Sequence, residues 1–234
     1  MALAAAAPAG SEPERIGADP RTASPVGPGP LDVPPHVSYG AAMAVHAGRH
    51  HLGMDRGRIV LHTFRDGLAA TAGHDLTIEV GRWSGDLTVN DDLKPAGLAV
   101  QIDMGSLIVR QGSGGIKPLT DRDRREIAVT ARKVLAADRY PEASFTASDF
   151  EPGTNGGGTV TGTLTLAGVA RPLQLQVSQT GPDTYHAATM VVQSTHGIKP
   201  YTGFLGALRV RDAVNVDIDV DLSGADDGTG AQPA

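Results

Sequence analysis

The sequence has no cysteine, and aromatic residues make up only 4% of its 234 residues. Without cysteine, disulfide bonds, thiolate metal sites and cysteine nucleophiles are excluded. The chain also lacks a broad basic patch, because its basic residues are dispersed except at Arg122 to Arg125, and the net charge is −6. A phosphate backbone requires a concentrated basic surface, so we predict no nucleic-acid partner.

Long apolar runs are missing as well. No uninterrupted apolar segment approaches the roughly 20 residues that a membrane-spanning helix needs. The first residues, MALAAAAPAG, carry no basic start and lead directly into Pro, Gly and Glu, which is not typical of a signal peptide. We therefore expect no membrane span and a cytoplasmic location.

The two ends of the chain have a composition typical of disorder. Residues 1–40 are rich in Ala, Pro, Gly and Ser, and such a segment cannot bury enough apolar surface to offset the entropy of ordering. Residues 41–55 fit a short helix and an extended lead-in equally well. We predict a disordered arm over residues 1–55 and a disordered tail over residues 223–234.

Between the two ends, apolar and polar residues alternate in the manner of strands with one buried face. TVTGTLTL (159–166) and RPLQLQVS (171–178) predict a hairpin with its turn at 167–170. AVNVDIDVDL (213–222) alternates throughout. Further predicted strands lie near 58–65, 75–80, 82–89, 98–104, 143–150 and 184–194. The parity of the apolar residues changes at Gly81, which predicts a bulge or turn there.

One segment, TDRDRREIAVTARKVLAAD (120–138), has apolar residues at helical spacing from Ile127 to Leu135. Thr120 is the expected N-cap, and Asp123 is its capping-box partner. The sequence therefore predicts one all-β antiparallel domain over residues 56–222, with about eight strands and one inserted helix. A closed barrel and a two-sheet sandwich both hide the strand edges, and periodicity does not separate them.

Signatures of catalysis and metal binding are weak. The eight histidines form no HExxH motif, and no GxSxG elbow, P-loop or dinucleotide fingerprint occurs. Asp217, Asp219 and Asp221 share one face of a strand, where neighbours lie about 6.6 Å apart, too far to wrap a calcium ion. We assign no metal site, no cofactor and no catalytic residue.

Three residues at predicted strand ends and turns have two interpretations each. His74 precedes Asp75, which could orient its imidazole for acid–base work, or His74 could simply cap a turn. GIKPLT (115–120) and GIKPYT (197–202) nearly repeat each other. Their lysines, Lys117 and Lys199, would offer cations to a polar headgroup at one barrel mouth, although turn chemistry alone also explains the repeated Gly and Pro.

Three passages, in this order, carry a resemblance to a known family. The first two are Arg122-Asp123 at the start of a helix and RYPEASF (139–145), followed by Ser148. The third is GTLTLAGVARPL (162–173). Together with His74 near the second strand, they resemble the YceI family over roughly residues 56–222. The chain departs from the family pattern R-D-x-H, because Arg125 stands at the histidine position, and it lacks the export signal that many members carry.

The resemblance implies an extended lipocalin-like barrel with an apolar lumen, in which some members hold a polyisoprenoid or another amphiphile. Our first hypothesis is therefore a non-catalytic protein that binds an isoprenoid or fatty chain. The alternatives are an enzyme with a rim site of His74, Asp75 and Arg122 or Asp123, and a module whose arm recruits a partner. The apolar residues expected to line the cavity are Leu76, Ile78, Trp83, Leu87, Val100, Ile102, Phe145, Leu164, Leu175 and Val216.

Overall fold

The computed structural model of the protein describes residues 46–153 and 156–223. Most of the predicted arm and nearly all of the predicted tail, at 1–45 and 224–234, lie outside the described residues. The strands are β1 Gly48–Gly53, β2 Gly57–Thr63, β3 Arg65–Asp66, β4 Asp75–Val80, β5 Trp83–Val89, β6 Pro95–Asp103, β7 Leu107–Ser113, β8 Glu142–Pro152, β9 Gly158–Leu166, β10 Val169–Gln179, β11 Thr184–Val192, β12 Thr202–Gly203, β13 Leu208–Val210 and β14 Ala213–Asp221. One α-helix, α1, spans Asp121–Val134, and short 3₁₀ helices span Ala70–Ala72, Gln193–His196 and Phe204–Gly206.

Eleven strands form one sheet in the order β1-β5-β6-β8-β9-β10-β11-β14-β2-β4-β7, and every neighbouring pair is antiparallel. This is the predicted all-β, antiparallel, lipocalin-like class with one helix. The predicted count of about eight strands was too low, because β1 and β7, at the two ends of this order, were not anticipated. β1 lies within residues 1–55, so the sheet begins at Gly48 rather than at the expected boundary of residue 56.

The connections between hydrogen-bonded strands leave the sheet at two ends. One end carries the β5–β6, β8–β9 and β10–β11 turns, and we call it the turn end. The other end carries the β2–β4 and β11–β14 connections. β7 also ends there, because its last residue, Ser113, pairs with Asp75, the first residue of β4. We call it the cap end, because a second sheet of β12, β13 and β3 lies there.

The alternation expected from the sequence is present in the strands. In β14, Val216 is buried, whereas Asn215 on the opposite face is exposed. In β9, Leu164 and Leu166 are buried and face the same way. The predicted irregularity at Gly81 separates β4 from β5, and these consecutive strands occupy distant places in the sheet order.

The predicted capping box is present at the start of α1. The Thr120 side chain accepts a hydrogen bond from the Asp123 N–H, and the Asp123 carboxylate accepts one from the Thr120 N–H at 2.8 Å. The helix ends earlier than its composition suggests, because Ala136 adopts a left-handed φ of 50°. The N–H groups of Ala136 and Ala137 then bond to Lys133 O and Arg132 O, as in a Schellman motif. Of the helices in the described segments, none has the length and apolarity needed to cross a bilayer.

We expect Thr120→Ala to lower the free energy of unfolding by about 1 kcal/mol, because the Asp123 N–H loses its acceptor and the Asp123 carboxylate loses the hydroxyl that donates to it. Thr120→Ser keeps the hydroxyl and is the matched control. Urea denaturation of the three proteins measures the difference. Equal midpoints for Thr120→Ala and the parent protein would contradict this role of the cap.

Candidate functional site

The curved sheet surrounds a cavity of about 1190 Å³. Inward-facing side chains of all eleven strands contribute to its wall. Helix α1 packs beside β7 and adds an apolar face that includes Ile127, Ala131 and Val134. Two clusters of buried residues support this wall, one around Trp83 and one around Phe145.

All ten apolar residues expected from the sequence to face a cavity do line it. These residues are Leu76, Ile78, Trp83, Leu87, Val100, Ile102, Phe145, Leu164, Leu175 and Val216. Strand parity placed them on the inner face, and the structure shows that the inner faces enclose space. Which of them a ligand touches stays a prediction.

Polar groups line the cavity near its two ends. At the turn end these include Asn90, Lys94 and Glu151. Tyr185 also faces the cavity, and burial together with the Asp183 carboxylate raises the pKa of its phenol. The phenol therefore stays neutral and acts as a hydrogen-bonding group.

Two arginines, Arg65 and Arg209, line the cavity at the cap end. Arg65 donates from Nη1 to Gly73 O at 2.8 Å, and its Nε lies 3.9 Å from Asp75 Oδ1. Arg209 Nη2 lies 3.7 Å from Asp66 Oδ2. Neither ion pair is close, so both guanidinium groups keep donor capacity toward the cavity.

The residues of the hypothetical rim enzyme are engaged in local structure. His74 lines the cavity, but its Nε2 donates to Lys117 O at 2.7 Å. Asp75 accepts the backbone N–H of Arg65 at 2.8 Å and does not orient the imidazole.

The two helix residues of that hypothesis are also accounted for. Arg122 pairs with Glu126 along the helix at 2.8 Å. Hydrogen bonds from the Thr120 hydroxyl and N–H lower the pKa of Asp123, which keeps this capping carboxylate ionised.

The two lysines of the repeated hexapeptide do not line the main cavity. Lys117 supplies its carbonyl to His74, and Lys199 borders a separate shallow pocket with Asp66 and Arg209. Arg65 and Arg209 supply the cationic side chains that line the cavity at this end, and neither was predicted from the sequence. A signal for Arg65 was available, because Ile59, Leu61, Thr63 and Arg65 share one parity.

The acidic ladder of β14 lies on the outer face, opposite to the residues of this strand that line the cavity. His62 Nε2 lies 3.1 Å from Asp217 Oδ2, and Arg58 Nε donates to Asp219 Oδ2 at 2.7 Å. Burial acts to raise the pKa of Asp219, but hydrogen bonds from His186 and Arg58 outweigh it and lower the pKa. Within residues 46–153 and 156–223, no group of three His, Asp or Glu side chains is arranged to hold a metal ion.

Comparison with known proteins identifies the fold family. The model of the YceI-like domain matches residues 62–222, which is more than half of the chain. The chain belongs to the YceI-like family. No curated protein sequence matches this YceI-like chain.

Several solved structures are similar to this YceI-like chain at low sequence identity. BcnA of Burkholderia cenocepacia is 18% identical with a TM-score of 0.49, and the match covers 70% of this chain and 94% of that one. A YCEI protein of Campylobacter jejuni is 21% identical with a TM-score of 0.45, covering 62% and 82% of the two chains. A polyisoprenoid binding domain from Saccharophagus degradans is 13% identical with a TM-score of 0.47, covering 74% and 97%.

Proposed function

We propose that this protein is a non-catalytic carrier that holds one lipid-like amphiphile, an isoprenoid or a fatty chain, in the barrel. The observation that carries the proposal is the cavity of about 1190 Å³ with its apolar wall. Pockets for drug-sized ligands measure roughly 300 to 1,000 Å³, so this volume favours a longer hydrocarbon chain. Burial of that chain contributes roughly 25 cal/mol per Å² before the costs of association are subtracted.

The polar headgroup of the ligand lies at the cap end in this proposal. Arg65 and Arg209 face the cavity there, and Tyr201 lines the same end. Guanidinium groups form charge-assisted hydrogen bonds with phosphate and carboxylate oxygens. The favoured ligand is therefore an amphiphile with an oxygen-rich headgroup, bound by these arginines rather than by Lys117 and Lys199.

The test is native mass spectrometry of the protein purified from its own host, followed by organic extraction and identification of the bound molecule. We expect a mass increment that corresponds to one prenyl or acyl lipid. In parallel, the delipidated protein is heated with a panel of prenyl alcohols, prenyl phosphates and fatty acids. A bound lipid raises the melting temperature because it binds only the folded state. An empty protein that gains no thermal stability from any of these lipids would overturn the proposal.

A further inference from the structure

Four large apolar side chains project from the cap end. Leu68 is 100% exposed, Leu205 110%, Ile116 79% and Phe204 68%. Single exposed apolar residues are common on protein surfaces, but a group of them at one place marks an interaction site. We call these four residues the apolar rim.

Backbone contacts bring the three segments that carry the rim together. The Ala69 N–H donates to Ala207 O at 2.9 Å, which joins the connection holding Leu68 to the one holding Phe204 and Leu205. The same two connections pair through β3 and β13.

The third segment, with Ile116, is joined to the first by two side chains. The hydrogen bond from His74 to Lys117 O fixes one point of contact. The Arg65 guanidinium fills the space in which a Cβ on Gly114 would lie. The three segments that carry the rim therefore lie side by side at the cap end.

The backbone turns two successive rim side chains outward. Phe204 has a φ of 48° and Leu205 a φ of 56°, in the left-handed region that bulky residues rarely adopt. Leu208, a few residues later, lines the cavity. The segment thus divides its apolar residues between the outer surface and the interior.

The charge of the cap end is opposite to that of the whole chain. The connecting segments 64–74, 114–120 and 193–212 hold five basic residues against two acidic ones: Arg65, Lys117, Lys199, Arg209 and Arg211 against Asp66 and Asp212. The turns at the other end hold Asp91, Asp92 and Asp183 against Lys94. Across the described part of the chain, no carboxylate lies within ion-pair distance of Lys117 or Lys199. The connecting segments that carry the apolar rim therefore have an excess of basic residues, although the whole chain has a net charge of −6.

We propose that the cap end docks on the surface of a lipid bilayer containing anionic lipids, with the apolar rim inserted among the headgroups. Exposed Leu and Phe side chains flanked by Lys and Arg are the chemistry that binds such an interface. Tyr201, Leu208 and Arg209 belong to the same segments and line the cavity, so the docked surface adjoins the site that receives the amphiphile. This inference rests on the proposed carrier function, because the bilayer is the source or destination of the ligand.

Flotation with vesicles tests the docking. The full-length protein is mixed with vesicles of phosphatidylcholine alone or with added phosphatidylglycerol. We expect stronger binding to the anionic vesicles. The Leu68→Ser/Leu205→Ser variant should bind at least about tenfold more weakly to both, since each lost leucine removes apolar burial. Lys117→Gln/Lys199→Gln should lower binding to the anionic vesicles alone, by about fivefold for each charge.

Met54→Ser is the matched control. Met54 is 56% exposed and lies in the connection before β2, whose opposite end pairs with β4 at the cap end, so its replacement should leave vesicle binding unchanged. Melting temperatures of all variants verify folding. If Leu68→Ser/Leu205→Ser does not fold, Ile116→Ser/Leu68→Ser replaces it with the same expectation.

The outcomes separate docking from ligand binding. A lipid-filled protein that floats with neither vesicle, or whose rim variants float as well as the parent, overturns the docking and leaves the carrier proposal intact. If the apolar rim binds another protein and not vesicles, the docking proposal is also overturned. If the protein has an empty cavity but floats with vesicles in a way that depends on the apolar rim, the docking proposal is supported and the carrier proposal fails.

Discussion

Replacing Ala187 by phenylalanine should leave the barrel folded but reduce its retained lipid to about a tenth. Ala187 lies in β11 between Val177 and Ile218 of the neighbouring strands, and all three residues line the cavity. The added ring occupies space that the ligand chain needs. Displacing even two methylene groups, at about 0.8 kcal/mol each, weakens binding about tenfold. Native mass spectrometry of the two purified proteins measures the bound fraction.

The matched control for this variant is Ala188→Phe. Ala188 is the next residue of β11 and pairs with Asp217 and Gln176, whose side chains lie on the outer face. The same chemical change there should leave lipid content unaltered. Equal lipid loss in both variants would show that the effect came from general damage to the sheet and not from filling the cavity.

Gly162→Ala is expected to destabilise the fold by about 1–3 kcal/mol, the range for overpacking a core. A Cβ at Gly162 would lie 2.4 Å from the Thr146 carbonyl oxygen and 2.5 Å from Cζ of Phe145. Both neighbours belong to β8, where the register with β9 shifts between Ala147 and Asp149. The backbone oxygen cannot move without disturbing that irregular pairing. Urea denaturation, followed by circular dichroism, gives the free energy of unfolding.

Gly97→Ala is the corresponding control in another strand. Its nearest neighbour would be Thr88 Cβ at 3.8 Å, an ordinary contact. We expect a change within about 0.5 kcal/mol, as at most surface positions. If the two variants lost the same stability, the close approach at Gly162 would not be the cause.

The sheet was predictable wherever strands were long enough to show a period. β9, β10 and β14 alternate over eight or more residues, so their inner faces were assigned correctly. The capping box of α1 was also predictable, because it depends on two residue types at a fixed spacing. These features rest on local sequence, and tertiary contacts reinforce them.

The strands that were not predicted are too short or too irregular to show an alternation of apolar and polar residues. β3 and β12 have two residues each, and β13 has three. In β1 (GRHHLG), one of the buried residues is His50, a polar residue type that is not expected on the inner face of a strand. β7 has a buried Leu107 and Val109 but then runs into Arg, Gln and Gly. Pairing with neighbours distant in the chain, rather than propensity, makes these segments strands.

The apolar wall of the cavity was predicted from the sequence, whereas the cationic side chains that line its cap end, Arg65 and Arg209, were not. The alternation of residues along a strand places a leucine or valine on the inner face, and the conformation of the loops does not change this. The positions of Lys117 and Lys199 depend on how the cap-end connections fold. The repeated hexapeptide does not predict that conformation. Arg65, by contrast, follows the parity of β2 and reaches the cavity.

β14 lies between β11 and β2 in the sheet, so the last of the described strands joins one of the first. The ion pair of Arg58 and Asp219 across this seam links residues 161 positions apart. During synthesis, the wall of the barrel therefore has a gap until residues 213–221 have left the ribosome, and β2 and β11 each present an unpaired edge until then. Such distant pairing also makes closure a slow, late event. The cavity wall is therefore complete only when β14 has paired with both β11 and β2, so the ligand proposed above meets its full binding site only after that step.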